Sequence, residues 1–282
     1  MAVERRGLMY GAVYGDVIGS YYELHPTKDY HFPLQLQSTL TDDTVLTVAV
    51  CDTLLANPQP VGPLGVRRRG EEYAARYRQY YHRFPNAGFG QLFAAWAKES
   101  TPQRRQHSYG NGAAMRVVPL GYACQSLKEA LQEVTASCYF THCHKEAIRG
   151  AQAVAGSVFL AWYGHSKEEI RWFVEKRCRF DLSIPLAQLR PSYRFDSRTR
   201  CSVPPAISAF LESRDYESAL RLAVSLGGDA DTMACIAGGI AQAYYRRIPK
   251  ELRDFCHPRV DSGLRRVADE FCRQYCPKLL DI

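Results

Sequence analysis

The sequence predicts an all-α protein. Apolar residues recur at helical spacing along most of the 282 residues, and no strand pattern competes with them. Loops rich in Pro, Gly, Arg or Ser separate the helical segments, notably at 57–70, 100–111 and 179–203. The predicted helices cover residues 8–20, 44–56, 71–83, 89–99, 112–124, 127–139, 144–163, 167–178, 204–213, 216–226 and 232–245.

Two kinds of helix are indicated in this series. Most segments show the spacing of a helix with one apolar face, beginning with 8–20, whose glycines allow a neighbouring backbone to approach. The segments 144–163 and 232–245 are apolar nearly all round and contain many small residues. Each glycine in a helix costs about 1 kcal/mol relative to alanine, so close contact between backbones must offset that cost. We therefore expect these two helices to be central.

The composition is that of a soluble globular protein. The chain lacks both a long apolar stretch for a membrane span and an N-terminal signal segment, so we expect a cytoplasmic protein that is not associated with membranes. The ten cysteines are scattered, and we expect buried, reduced thiols. The net charge of +7 is compatible with a phosphate-bearing substrate. The arginine pairs accompany no nucleic-acid-binding module, so nucleic acid is not indicated, although a modified nucleic acid stays open as a substrate.

Two acidic clusters carry the main functional signal. Thr41-Asp42-Asp43-Thr44 and Asp229-Ala230-Asp231-Thr232 each stand directly before an apolar helical run. Ser, Thr and Asp in such positions are commonly helix caps only. The repetition of the Asp/Thr combination, with no Lys or Arg in either cluster, favours a two-metal site. If the two helix starts meet, four carboxylates share one pocket, and hard cations such as Mg²⁺ would relieve their repulsion.

The same clusters indicate the domain organisation. They bracket most of the chain, so independent domains would have to divide the site. We therefore expect one domain over residues 1–282. We also expect the protein to be a monomer. No fixed-period repeat indicates a solenoid.

The segment 11–23 places two further carboxylates near the glycine contact. Asp16 is expected to be a buried hydrogen-bond acceptor that fixes a loop. Glu23 ends the first helix before a loop at 24–38 that could cover a pocket, and the alternative for Glu23 is simple exposure.

Two further motifs suggest ligand contacts. Gly110-Asn111-Gly112-Ala113-Ala114-Met115-Arg116 opens a helix, and backbone amides at such a turn can hold phosphate oxygens, although Asn-Gly is also a common turn. Thr141-His142-Cys143-His144 lacks the second ligand pair of a zinc site. The histidine at the start of 144–163 is either a polar contact to a ligand or a cap.

These motifs, in this order, resemble the ADP-ribosylglycohydrolase family, which includes the dinitrogenase-reductase-activating glycohydrolase and the ADP-ribosyl-acceptor hydrolases. The resemblance spans residues 11 to about 245 and leaves the tail without an assigned motif. It implies a compact all-α fold with a central binuclear Mg²⁺ centre, in which Mn²⁺ can substitute. It also implies cleavage of the bond between ADP-ribose and an acceptor, either an ADP-ribosylated protein or a small conjugate such as O-acetyl-ADP-ribose.

The resemblance assigns roles by position. The implied metal ligands are Thr41, Asp42, Asp43, Asp229, Asp231 and Thr232. The implied contacts to the diphosphate, the distal ribose and the rest of ADP-ribose are Gly110, Asn111, Gly112, Ala113, Met115 and His142. A carboxylate beside the metals would be the general base, and the candidates are Glu23, Asp42 and Asp43. The competing interpretation is a protein of the same fold that binds ADP-ribose without turnover. A third is hydrolysis of another nucleotide-like substrate at the same metals.

Overall fold

The structure, a computed structural model, describes residues 9–99 and 104–277 of the chain. Those two ranges contain helices and no β-strand, which confirms the predicted fold class. The predicted 8–20 helix and the predicted 100–111 loop each begin outside these described ranges. The helices are α1 (Gly11–Leu24), α2 (Asp42–Ala56), α3 (Val66–Arg83), α4 (Gln91–Lys98), α5 (Val118–Ala123), α6 (Leu127–Cys138), α7 (Lys145–Trp162), α8 (Lys167–Trp172), α9 (Leu186–Leu189), α10 (Thr199–Glu212), α11 (Tyr216–Val224), α12 (Ala230–Tyr245), α13 (Lys250–Cys256) and α14 (Ser262–Tyr275).

Helices α1 and α12 form the most intimate contact of the fold. A Cβ atom added to Gly15 would lie 2.1 Å from the carbonyl oxygen of Ala234, and one added to Gly19 would lie 2.3 Å from that of Ala230. Only glycine permits so close an approach of two helix backbones. The packing brings the last turn of α1, which carries Glu23, towards the first turn of α12.

Helix α12 lies at the centre of the molecule. Every residue from Ala230 to Ala243 is buried, and α1, α7, α10 and α11 all pack against this helix. Helix α7 is also largely buried. The expectation that the two helices rich in small residues are central is therefore confirmed. The burial means that any carboxylate at the start of α12 sits far from bulk water, where an uncompensated charge is costly.

The tail beyond residue 245, for which no helix was predicted, forms α13 and α14. Leu264, Phe271 and Cys272 are fully buried, and the amide of Met9 donates to Cys272 Sγ at 2.9 Å. Tyr10 also donates its hydroxyl hydrogen to Asp269 Oδ1 at 2.8 Å. The tail therefore closes over the start of α1. Its apolar positions follow helical spacing, with charged residues between them, as is typical of a helix with one buried face.

Some predicted boundaries were wrong. Helix α10 begins at Thr199, five residues before the predicted start at Pro204, and it contains both Pro204 and Pro205. Pro205 removes the amide that would bond the carbonyl of Cys201. The Tyr193 hydroxyl bonds that carbonyl instead, at 2.8 Å. This tertiary hydrogen bond replaces the helical hydrogen bond that Pro205 cannot make. The local sequence gives no sign of it.

Two other segments also differ from their predictions. Helix α3 starts at Val66, inside the predicted 57–70 loop. The predicted 112–124 helix is divided into a 3₁₀ turn at Asn111–Ala113 and helix α5.

All ten cysteines lie within the described ranges and are unpaired there, and eight of them are buried, in agreement with the expected burial. Among the described residues, no helix combines the length and apolarity that a membrane crossing requires.

Candidate active site

The two acidic clusters meet at the starts of α2 and α12. Thr41 caps α2, because its hydroxyl oxygen accepts the amide hydrogen of Asp43 at 3.3 Å. The hydroxyl of Thr232, in the first turn of α12, donates to Asp43 Oδ2 at 3.2 Å. The condition for a shared carboxylate pocket, that the two helix starts come together in space, is therefore met.

Glu23 joins the second cluster in a group that could hold a metal ion. One carboxylate oxygen from each of Glu23, Asp229 and Asp231 lies within 4.8 Å of the others. Glu23 is half-buried, and both aspartates are buried. Glu23 lies in the last turn of α1, so a helix rather than a loop sets its position.

Burial and mutual repulsion control the ionisation of these carboxyl groups. Burial, followed by the charges of Asp16, Asp229 and Glu23, raises the pKa of Asp42 to about 8. Burial together with neighbouring carboxylates holds the pKa values of Asp43 and Asp231 well above the ordinary aspartate range. The pKa of Glu23 is raised by the same two causes. Full ionisation of such a group near neutral pH is costly without a compensating cation.

The residues fit a hard divalent cation. Asp43 Oδ1 is buried and has no hydrogen-bond partner among the described residues. A buried carboxylate oxygen without a donor is costly, and a metal ion would satisfy it. The surrounding ligand atoms are carboxylate and hydroxyl oxygens, which suit Mg²⁺ or Mn²⁺ better than Zn²⁺.

Asp16 is the buried acceptor that the sequence suggested. Its carboxylate accepts from the amide and hydroxyl of Thr41, at 2.9 and 2.7 Å, and from the amide of Thr44 at 3.1 Å. The hydroxyl of Thr44 also donates to Asp16. These bonds fasten the start of α2 to α1. Thr44 belongs to the first acidic cluster of the sequence, but no role of its own was predicted for it.

The Gly110–Met115 turn packs directly against the second cluster. Asn111 Nδ2 donates to Asp229 Oδ2 at 2.8 Å and to Ser202 Oγ at 3.0 Å. Asn111 therefore orients a carboxylate of the acidic pocket as well as forming part of the turn. Met115 Sδ lies 3.9 Å from the hydroxyl oxygen of Thr232. Ser202 comes from α10, in a segment with no sequence signal for the site.

His142 faces the same turn. The side chain is buried, and a Cβ atom added to Gly112 would lie 3.4 Å from His142 Nε2. His144 caps α7, since its Nδ1 accepts the amide hydrogen of Glu146 at 3.2 Å. Within the described ranges, neither histidine belongs to a group of three metal-ligating side chains.

Lys28 anchors the 24–38 loop beside the second cluster. Its ammonium group donates to the carbonyl oxygen of Tyr193 at 2.8 Å and to that of Leu226. Gly227 follows with a φ of +64°, and the carbonyl oxygen of Thr27 would be 3.0 Å from a Cβ at this position. The loop therefore forms one wall next to Asp229.

Comparison with known proteins identifies the fold and the family. The chain is 27% identical to ADP-ribosylhydrolase ARH3 from Bos taurus, over 89% of this chain and 88% of that protein. The human ARH3 is also 27% identical, with the same coverage. ADP-ribosylarginine hydrolase Tri1 from Pseudomonas putida is 24% identical, over 85% of this chain and 70% of its own length.

A solved structure shares the architecture. It is an ADP-ribosylglycohydrolase-related protein complex, with a TM-score of 0.67 and 24% identity over 96% of this chain and 97% of that one. The ADP-ribosylglycohydrolase family model matches residues 4–278. Because this match spans nearly the whole sequence and includes both acidic clusters, the chain belongs to the ADP-ribosylglycohydrolase family.

Proposed function

We propose that the protein is a metal-dependent hydrolase that cleaves the glycosidic bond between ADP-ribose and a modified acceptor, and so reverses ADP-ribosylation. The observation that carries this proposal is the convergence of Glu23, Asp229 and Asp231 within 4.8 Å beside the Asp43–Thr232 contact. Family membership and relatives named ADP-ribosylhydrolase and ADP-ribosylarginine hydrolase support the same activity.

The metal centre is proposed to be binuclear and to hold Mg²⁺, with Mn²⁺ as a substitute. The residues that would hold the ions are Thr41, Asp42, Asp43, Asp229, Asp231 and Thr232. When bound, the ions would orient ribose hydroxyls and favour ionisation of an attacking water. The all-oxygen donor set and the unpartnered Asp43 Oδ1 support this assignment.

Glu23 is the best-placed candidate for the general base. Glu23 is the half-buried member of the cluster that it forms with Asp229 and Asp231, whereas Asp43 already accepts a hydrogen bond from Thr232. A raised carboxyl pKa improves proton abstraction near neutral pH. Glu23 would take the proton from the water that attacks the anomeric carbon. Asp42, whose pKa is about 8, is the alternative base.

The Gly110–Met115 turn and His142 are proposed to hold ADP-ribose. The amides of Gly110 and Asn111 already bond Ser108 Oγ and the Ser197 carbonyl, at 3.2 and 2.8 Å. We therefore assign phosphate contacts to the amides of Gly112 and Ala113, at the start of the turn's helical segment. The buried ring of His142 would supply a polar contact on the same side.

The direct test is release of free ADP-ribose from a panel of arginine-linked, serine-linked and O-acetyl substrates, with Mg²⁺ and with chelator. Metal-dependent release from one member would support the activity and identify its acceptor. Calorimetric binding of ADP-ribose without release from any member would favour a binding protein of the same fold. A product with a broken diphosphate would point to a different hydrolase reaction.

We also propose that residues 1–282 form one domain and that the protein is a monomer in the cytoplasm. Light scattering after size-exclusion chromatography would test the oligomeric state. An ADP-ribosylated nucleic acid added to the substrate panel would test the remaining class of acceptor.

A further inference from the structure

Arg116 is a buried cation whose hydrogen bonds lead towards the ligand turn. Its side chain is fully buried, and the guanidinium lies 4.2 Å from the centroid of the Tyr77 ring. Nη2 donates to the Ser137 carbonyl at 3.1 Å and to Thr141 Oγ1 at 2.7 Å. Among the described residues no carboxylate pairs with it, and Nε and Nη1 have no hydrogen-bond partner. Burying a cation without a counter-charge is costly.

Thr141 connects Arg116 to His142 through hydrogen bonds, and we call this chain of three side chains the relay. Thr141 is buried, and its Oγ1 lies 2.9 Å from His142 Nδ1. A guanidinium is a donor only, so Arg116 cannot receive the hydroxyl hydrogen of Thr141. Of the two side chains bonded to Oγ1 in the described structure, only His142 can accept that hydrogen. Nδ1 of His142 then carries a lone pair, and the neutral ring carries its hydrogen on Nε2.

The other ring nitrogen is aimed at the turn. A Cβ atom at Gly112 or Gly110 would lie 3.4 or 4.0 Å from Nε2. The backbone around His142 is also fixed, because the amide of Cys143 donates to the Gln106 carbonyl at 2.9 Å. Burial, aided by the charge of Arg116, holds the pKa of His142 well below its ordinary range, in keeping with a neutral ring.

We propose that Arg116 and Thr141 are positioning residues that fix His142 as an Nε2–H donor directed at a ligand oxygen in the Gly110–Gly112 turn. This inference rests on the proposed function, in which that ligand is ADP-ribose. The opposite tautomer would present a lone pair to a phosphate oxygen, which can only accept a hydrogen bond, and would repel it. Arg116 and Thr141 thus determine which ring nitrogen of His142 carries the hydrogen, without touching the ligand themselves.

The first measurement is the tautomer of His142 by long-range ¹H–¹⁵N NMR of ¹⁵N-histidine protein without ligand. The chain has eight histidines, so the His142→Asn spectrum assigns the signal. The matched variants are Thr141→Val, which keeps the side-chain shape without the hydroxyl, and Thr141→Ser, which keeps the hydroxyl. Arg116→Met tests the first step of the relay. Calorimetry with ADP-ribose is run on the same samples.

We expect wild type and Thr141→Ser to show Nε2–H, and Thr141→Val and Arg116→Met to show mixed tautomers. Loss of one fixed hydrogen bond should weaken ADP-ribose binding by Thr141→Val about tenfold, with Thr141→Ser close to wild type. A wild-type Nδ1–H signal, or an unchanged tautomer and affinity in Thr141→Val, would overturn the relay. If Arg116→Met does not fold, the comparison of Thr141→Val with Thr141→Ser still decides whether the hydroxyl of Thr141 fixes the tautomer of His142. Wild-type protein with the expected tautomer but no ADP-ribose binding would support the relay and overturn the proposed function.

Discussion

The hydroxyl of Thr232 donates a 3.2 Å hydrogen bond to Asp43, a residue 189 positions earlier in the chain. This contact joins the first turns of two helices that bring their carboxylates to the same buried place. Each helix start would be an ordinary cap on its own. Together they create a concentration of negative charge that a cation can neutralise. The stability of the protein should therefore depend on both metal and pH.

Replacing Asp43 with Asn should change stability in opposite directions without and with metal. In chelator the variant should melt at a higher temperature than wild type, because one source of buried repulsion is gone. Wild type should gain about 2.7 kcal/mol when Mg²⁺ is present at 100 times its Kd, and the variant much less. Thermal unfolding followed by circular dichroism measures both effects. The exposed Asp29→Asn should behave as wild type, and an equal Mg²⁺ response in both variants would contradict the assignment of Asp43.

The metal-free protein should lose stability as pH rises towards 8. The folded-state pKa of Asp42 is raised to about 8, so the folded chain keeps a proton that the unfolded chain has already released. Stability from this group is therefore present at acidic pH and declines by up to about 1.4 kcal/mol per pH unit on the way up. Melting temperatures in chelator across this range should fall, and Mg²⁺ should flatten the slope. A flat profile in chelator would be the contrary result.

Gly19→Ala should damage the site through the backbone. The new Cβ would lie 2.3 Å from the Ala230 carbonyl oxygen and 2.6 Å from the Cα of Asp231, so α1 and α12 must separate. Overpacking of this kind costs about 1–3 kcal/mol, and it should lower both Tm and Mg²⁺ affinity. Gly62→Ala is the control, since its Cβ would meet nothing within 4 Å. Equal melting temperatures and metal affinities for the two variants would show that the helix contact tolerates a side chain.

Glu23→Gln should separate catalysis from ligand binding. Loss of a general base lowers turnover by about 10²–10⁴, while ADP-ribose affinity should change little. Because Glu23 lies within 4.8 Å of Asp229 and Asp231, Mg²⁺ affinity must be measured beside turnover. Exposed Glu251→Gln serves as the matched surface control. Lost ADP-ribose binding with normal residual turnover would instead make Glu23 a ligand-binding residue.

Local pattern was sufficient for the helical fold and for the two acidic helix starts. Periodicity and the Asp/Thr pairs are properties of neighbouring residues, so the sequence displays them directly. The two hydrogen bonds from Asn111, to Asp229 and to Ser202, are different, because three segments must fold together before these bonds exist. Nothing in the neighbourhood of Ser202 points to a site.

The remaining differences have separate causes. Leu264, Ala268 and Phe271 mark the buried face of α14 at helical spacing, with charged residues on the other face, so the sequence did contain a signal for this helix. The predicted helix started at Pro204, whereas α10 contains both Pro204 and Pro205, and the hydroxyl of the distant Tyr193 bonds the carbonyl that Pro205 leaves without an amide partner. Tertiary contacts override local preference in such places.

The glycine contact between α1 and α12 also has a consequence for biosynthesis. Helix α1 leaves the ribosome early, whereas α12 ends at Tyr245, near the far end of the described chain. Contacts of such high sequence separation form late and slow the folding of a chain. A nascent or truncated polypeptide that stops before α12 therefore holds Asp42 and Asp43 without their partners. Capacity to capture a metal ion should be among the last properties that the emerging molecule acquires.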